Sequence, residues 1–151
     1  MSREYPDRPW IGIGVVAFDG TGRDRGAERV LLVRRGKPPR EGSWSLPGGA
    51  QELGERAEAA ARRELLEETG IEVGPLELAA VFDSISRDAT GAVRWHYTIV
   101  DYCGRWTAGE ARPGDDVAAV AWAAPEDLPT YDLTPDALRV IAEARERLFP
   151  G

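Results

Sequence analysis

Three carboxylates at helical spacing are the residues of this chain best placed to do chemistry. Glu64, Glu67 and Glu68 stand at i, i+3 and i+4 within residues 56–69. That stretch is rich in alanine, leucine, glutamate and arginine, and so has high helix propensity. At 3.6 residues per turn the three share one helix face. Ionised carboxylates side by side repel one another, and the arrangement costs free energy unless positive charge lies among them. Oxygen ligands of this hardness suit Mg²⁺ or Mn²⁺. Taken alone, the three glutamates have a second reading, a solvated helix face.

The frame around them separates the two readings. Gly49 is followed after five residues by Glu55, then after seven by Arg63-Glu64-Leu65, then by Glu67-Glu68 and Gly70-Ile71. Seven fixed identities in one register, each at an ordinary usage of ~5–7%, arise by chance in fewer than about 10⁻⁸ of windows. The pattern is the complete box G-x5-E-x7-R-E-U-x-E-E-x-G-U, U being aliphatic, and Trp44-Ser45-Leu46-Pro47-Gly48 precedes it as a lead-in. On these residues the chain resembles the Nudix hydrolases. The resemblance covers the 23-residue box closely and, in the order of elements, most of the chain.

That resemblance implies an α+β fold, an α/β/α sandwich in which the box helix and a C-terminal helix pack on a mixed β-sheet. It implies Mg²⁺ (or Mn²⁺) held by Glu64, Glu67 and Glu68 together with a backbone carbonyl, that of Gly48. It implies in-line attack of a metal-activated water on a diphosphate phosphorus. Glu64, Glu67 and Asp116 are the candidate catalytic residues. The general base is either Glu67 or an acid of the loop before Val117, Asp115 or Asp116. Arg63 is expected to orient the ligands by pairing with Glu55 or Glu67, and Leu65 and Ile71 to pack the helix on the sheet.

Around the box, Arg34, Arg35, Lys37 and Arg40 form a basic cluster in an otherwise acidic chain. Arg35 and Lys37 are the candidates for gripping substrate phosphate. Trp44 is the candidate for stacking on a base or ribose, with Trp95 and Tyr97 as further aromatics. His96 has no Cys or His at ligand spacing and reads as structural.

These residues need a scaffold. Trp10–Phe18 and Arg29–Arg35 read as strands, joined through a turn at Asp19–Gly22 and a charged loop over 23–29. Gly70 should stop the box helix. Leu76–Ser86 and Val93–Tyr102 read as a hairpin around Asp88-Ala89-Thr90-Gly91. Residues 107–116 form a polar loop, Val117–Ala123 a last strand, and Pro125–Leu128 a short turn or helix. Thr134, with Pro135 behind it, should cap a helix running to about Leu148. No repeat or linker interrupts residues 1–151, which read as one domain.

Composition bounds the function. The net charge of −7 repels phosphate backbones, so long nucleic acids are not expected partners. No apolar run is long enough for a bilayer, and the N-terminus has no signal-peptide core. A single cysteine, Cys103, excludes an internal disulfide, and a cytoplasmic protein is expected. Arg94–Tyr102 and Leu133-Thr134-Pro135 are similar to small bacterial ADP-ribose pyrophosphatases, which implies ADP-ribose split to AMP and ribose 5-phosphate. That branch often carries a proline where this chain has Ser86 and Arg87. The alternative is therefore a nucleoside triphosphate pyrophosphohydrolase that cleans the nucleotide pool. A non-catalytic sensor of a nucleotide metabolite ranks third, because all box glutamates are kept and 151 residues leave no room for a DNA-binding segment. The family also implies a homodimer.

Overall fold

The computed structural model describes residues 2–20, 28–38 and 40–150. Its strands are β1 (Trp10–Phe18), β2 (Val30–Arg35), β3 (Trp44–Ser45), β4 (Gly48–Ala50), β5 (Glu72–Val73), β6 (Glu77–Arg87), β7 (Val93–Ala108) and β8 (Val117–Ala123). The helices are α1 (Ala57–Thr69) and α2 (Pro135–Leu148), with a 3₁₀ segment at Pro125–Tyr131.

The sheet is mixed. β1 runs parallel to β7 along its whole length, from Trp10 beside Tyr97 to Phe18 beside Arg105. Every other pairing is antiparallel. Among the described residues β1 pairs with β2 at Phe18 and Val30, and β4 pairs with β1 further along, with Gly14 opposite Gly48. The box lead-in is thereby brought into the sheet.

Alternation along β1 and β2 sorts their apolar residues onto two faces, as a pleated strand must. Ile13, Val15, Ala17 and Leu31 pack with Ala60, Ala61 and Leu65 of α1 and with Ile71 and Val73. Val16, Phe18, Val30 and Leu32 pack with Val140, Ile141 and Ala144 of α2 and with Phe149. This is the expected α/β/α sandwich, with near-continuous apolar strands because both faces are covered. Leu65 is 1% exposed, and truncating a side chain so placed costs about 2–5 kcal/mol.

Helix ends follow local chemistry. Gly70 takes a left-handed φ of 77° and its N–H donates to the Leu66 carbonyl, a conformation open to glycine at little cost. The Thr134 hydroxyl accepts from the Ala137 N–H at 3.1 Å. In the β6–β7 hairpin the Asp88 carboxylate accepts from the Thr90 N–H and hydroxyl and from the Ala92 N–H.

Three elements differ from expectation. β7 continues to Ala108, six residues past Tyr102, because its extension finds a partner in β5, a two-residue strand too short to announce itself. The 3₁₀ segment runs on to Tyr131. Residues 21–27, most of the expected loop between β1 and β2, and Pro39 lie outside the described residues. The entrance to that loop is fixed by Asp19, whose carboxylate takes the Arg29 N–H and guanidinium at 2.7 and 2.6 Å.

Candidate active site

Glycines and one arginine set the geometry around α1. A Cβ at Gly48 would lie well under 3.0 Å from the Ile13 carbonyl oxygen, and one at Gly49 equally close to the Glu64 carboxyl group. Only bare backbone fits between β1 and α1. The Gly48 N–H, so placed, donates to Glu68 Oε1 at 2.8 Å. The loop before β8 is fastened to the same, C-terminal end of the helix: Gly114 and Asp115 donate their N–H groups to the carbonyls of Glu68 and Glu67 at 2.8 and 3.2 Å.

Arg63 organises the carboxylates. Its Nε and Nη2 clasp both oxygens of Glu55 at 2.7 and 2.9 Å. Its Nη1 reaches Glu64 at 2.8 Å and Glu67 at 3.3 Å, and Nη2 also donates to the Ala50 carbonyl at 3.2 Å. Both pairings foreseen for Arg63 therefore coexist, with Glu55 the bidentate partner. A planar fork is suited to that geometry, whereas an ammonium is not.

The electrostatics follow. Hydrogen bonds from Arg63 hold the Glu55 carboxyl down to about 2. Burial pushes Glu64 above its ordinary value against the pull of Arg63. Burial pushes Glu68 up to about 7, with the neighbouring charges of Glu64 and Asp116 in the same direction and the Gly48 N–H opposing. Carboxylates that raise one another across a common space create a demand for positive charge.

That space is a cleft of about 360 Å³, lined by Gly48, Gly49, Glu64, Glu67, Glu68, Asp115 and Asp116 among others. The donor set, hard carboxylate oxygens beside exposed backbone, fits a divalent cation such as Mg²⁺ in chemistry. The three glutamates do not yet converge on one point. Among the described residues no group of three acidic, His or Cys side chains is close enough to cage an ion, since Arg63 holds two of the glutamates and the Gly48 N–H the third. Glu68 and Glu64 would exchange these partners for the ion.

The candidate residues divide between the cleft and its surroundings. Glu64, Glu67, Glu68, Gly48, Asp115, Asp116 and Arg35 line it. Asp116 has a left-handed φ of 57°, and its carboxylate pairs with Lys37 Nζ at 2.6 Å. Lys37 thus neutralises a cleft acid and is not itself among the lining residues. Trp44 stands edge-on to Tyr131, ring centres 5.1 Å apart, and packs against the α2 side of the core. His96, Trp95 and Tyr97 lie half-buried on β7.

Sequence reasoning passed over Arg3, which also lines the cleft. It sits in a stretch read only for lacking a signal peptide, and nothing in its local sequence marks it. Its position comes from contacts that residues 4 and 5 make with residues some 85 positions away.

With the geometry established, comparison with known proteins gives a consistent result. The chain is 40% identical over 88 residues to an "ADP-ribose pyrophosphatase" of Methanocaldococcus jannaschii, covering 58% of this chain and 50% of that one. It is 37% identical over 107 residues to a "Putative 8-oxo-dGTP diphosphatase 2" of Mycobacterium tuberculosis, covering 70% and 72%. Its fold superposes with a TM-score of 0.75 on the NUDIX domain of Shewanella oneidensis NrtR complexed with ADP ribose, at 28% identity over 94% of this chain and 90% of that one. The chain spans about half the length of several curated relatives that it matches. The model of the NUDIX domain matches residues 8–144, and on that match the chain belongs to the NUDIX domain family.

Proposed function

We propose that this protein is a Mg²⁺-dependent hydrolase that cleaves the diphosphate bond of ADP-ribose to AMP and ribose 5-phosphate. The observation that carries the reading is the cleft itself, where Arg63 arrays Glu64 and Glu67 beside a Glu68 fastened to bare Gly48 backbone. The names of the M. jannaschii relative and of the NrtR complex support ADP-ribose as the substrate.

Glu64, Glu67 and Glu68, with the Gly48 carbonyl, are the residues that would hold Mg²⁺ (or Mn²⁺). When bound, the ion neutralises diphosphate oxygens and lowers the pKa of the attacking water. Arg63 keeps the carboxylates aimed into the cleft. Glu67, the most exposed of the three, takes the water proton, with Asp116 the alternative acceptor. The new P–O bond forms as the bridging P–O bond breaks. Arg35, on the lining of the cleft, grips a phosphate oxygen. Lys37 acts through Asp116, and Trp44 with Tyr131 gives an aromatic surface beyond the cleft for the adenosine.

The name of the M. tuberculosis relative favours a second reading, hydrolysis of a nucleoside triphosphate to its monophosphate and pyrophosphate. A non-catalytic sensor ranks third. Product analysis by mass spectrometry separates them, using protein with Mg²⁺ and a mixture of ADP-ribose, nucleotide sugars and nucleoside triphosphates. AMP with ribose 5-phosphate is expected. Pyrophosphate release would move the assignment to triphosphates, and binding without turnover would move it to a sensor.

A homodimer is part of the proposal. β6 pairs only with β7 among the described residues and carries Val81 and Ile85 at 56% and 50% exposure. Light scattering on the intact protein tests this, and a monomeric mass at micromolar concentration would remove it. Among the described residues no helix is long and apolar enough to cross a membrane.

A further inference from the structure

The segment before β1 is held across the molecule rather than lying apart from it. The Tyr5 N–H donates to the Arg94 carbonyl at 2.7 Å, and the Tyr5 hydroxyl donates to Asp88 at 2.8 Å. Arg94 pairs with Glu4 at 2.6 Å. These contacts fix residues 4 and 5 to both ends of the β6–β7 turn, the Asp88 side and the first residues of β7. Arg3, next in the chain, lies with its guanidinium 5.2 Å from the centre of the Trp10 ring and on the lining of the carboxylate cleft. Among the described residues of that lining, Glu64, Glu67, Glu68, Asp115 and Asp116 are acidic, and Arg3 and Arg35 are basic.

We propose that the N-terminal arm is a working wall of the active site and that Arg3 is a substrate-binding residue, gripping a phosphate of the bound diphosphate. The proposal rests on the hydrolase reading above and extends it to a second cationic contact. A diphosphate entering a cleft of five carboxylates meets repulsion that the metal offsets only around its own ligands. An arginine held near the Trp10 ring by cation–π attraction can still offer its N–H groups to phosphate oxygens, which a guanidinium binds in pairs. The indole also limits the conformations the long side chain must give up on binding. Arg3 further lies close enough to Glu64 to oppose the upward shift of its pKa. Without substrate it therefore acts as a counter-charge, and with metal and substrate present it has phosphate as its partner.

Wild type, Arg3→Ala, Arg3→Lys and, as a control from the same arm, Arg8→Ala are compared in two assays. One is steady-state hydrolysis of ADP-ribose with Mg²⁺. The other is calorimetric binding of inorganic pyrophosphate in the presence of Ca²⁺. Arg3→Ala is expected to raise KM and to weaken pyrophosphate binding by about tenfold each, the size of one charge-assisted contact, with kcat changed by less than about threefold. Arg3→Lys should fall between, and Arg8→Ala should match wild type. Unchanged KM and pyrophosphate affinity in Arg3→Ala would overturn the proposal, as would absence of pyrophosphate binding by wild type. A lower Mg²⁺ requirement in the hydrolysis assay with unchanged substrate constants would overturn it as well, leaving Arg3 a counter-ion of Glu64. Equal losses in Arg8→Ala would assign the effect to net charge and also overturn it. Should wild type not hydrolyse ADP-ribose, the substrate reading fails by itself and the pyrophosphate comparison still decides the role of Arg3.

Discussion

Glu68 Oε1 accepts a hydrogen bond from the Gly48 N–H at 2.8 Å, joining the last turn of α1 to the strand that lies against β1. This one contact ties a side chain of the box helix to the backbone that the box lead-in puts into the sheet. It also orients a carboxylate whose burial makes its charge costly when no cation is present.

Glu68→Gln tests that assignment most directly. A glutamine oxygen can still accept from Gly48, so the circular dichroism spectrum and Tm are expected to stay close to wild type. Turnover should fall by about 100-fold or more, as loss of a metal ligand does. EDTA should abolish wild-type activity and Mg²⁺ restore it. Near-normal kcat in the variant, or activity that survives chelator, would remove Glu68 and its neighbours from the site.

Arg63→Ala strips five hydrogen bonds from around the cleft and leaves Glu55 and Glu64, each 15% exposed at the side chain, without their cation. The expected loss is about 1–3 kcal/mol of stability by denaturant titration, with Mg²⁺ affinity weakened by about 10–100-fold. Arg63→Lys should recover little of either, because a single ammonium cannot clasp Glu55 while reaching Glu64. Full rescue by lysine would show that charge alone matters there.

Two adjacent glycines should fail in different ways. A methyl group at Gly48 meets the Ile13 carbonyl and the Gly14 backbone, which cannot yield, whereas one at Gly49 meets the movable end of Glu64. Gly48→Ala is expected to cost about 1–3 kcal/mol in stability. Gly49→Ala should keep Tm near wild type while activity drops by about 100-fold through displacement of Glu64. Paired Tm and kcat measurements check this, and the reverse pattern would place the tight contact at Gly49.

Burial raises Glu68 to about 7 and Asp101 to about 6. The metal-free folded protein therefore holds protons that the unfolded chain has already released, and stability falls as pH rises from about 4.5 through about 7. Glu55, held at about 2 by Arg63, has the opposite sign. Its contribution is complete above about 4.5 and is lost only as pH falls toward 2. Metal-free protein is thus expected to melt a few degrees higher at about pH 5.5 than at about pH 7.5, with a smaller difference in Glu68→Gln. Apparent Mg²⁺ affinity should move the other way, weakening as pH falls from about 8 to 6, since the ligands must be ionised. A Tm that climbs steadily with pH in chelator would contradict the burial of these two acids.

By itself the sequence determined what depends on neighbours a few residues apart. The box helix, expected over 56–69 and found at Ala57–Thr69, is set by alanine, leucine and glutamate propensity and stopped by Gly70. The shared face of Glu64, Glu67 and Glu68 follows from helical pitch, and the Thr134 cap from its own hydroxyl. The burial of β2 on both faces agrees with the continuous apolar centre of its sequence, Val30–Val33. Tertiary structure alone decided what depends on distant partners. The parallel pairing of β1 with β7, the six added residues of β7 and the two-residue β5 arise from backbone hydrogen bonds that no local period encodes. The same holds for Lys37, turned toward Asp116, for Trp44, set against Tyr131, and for Arg3, delivered to the cleft by Tyr5 and Glu4. Their roles are fixed by which surfaces meet on closing the sandwich, and a linear pattern of residue types carries no record of that meeting.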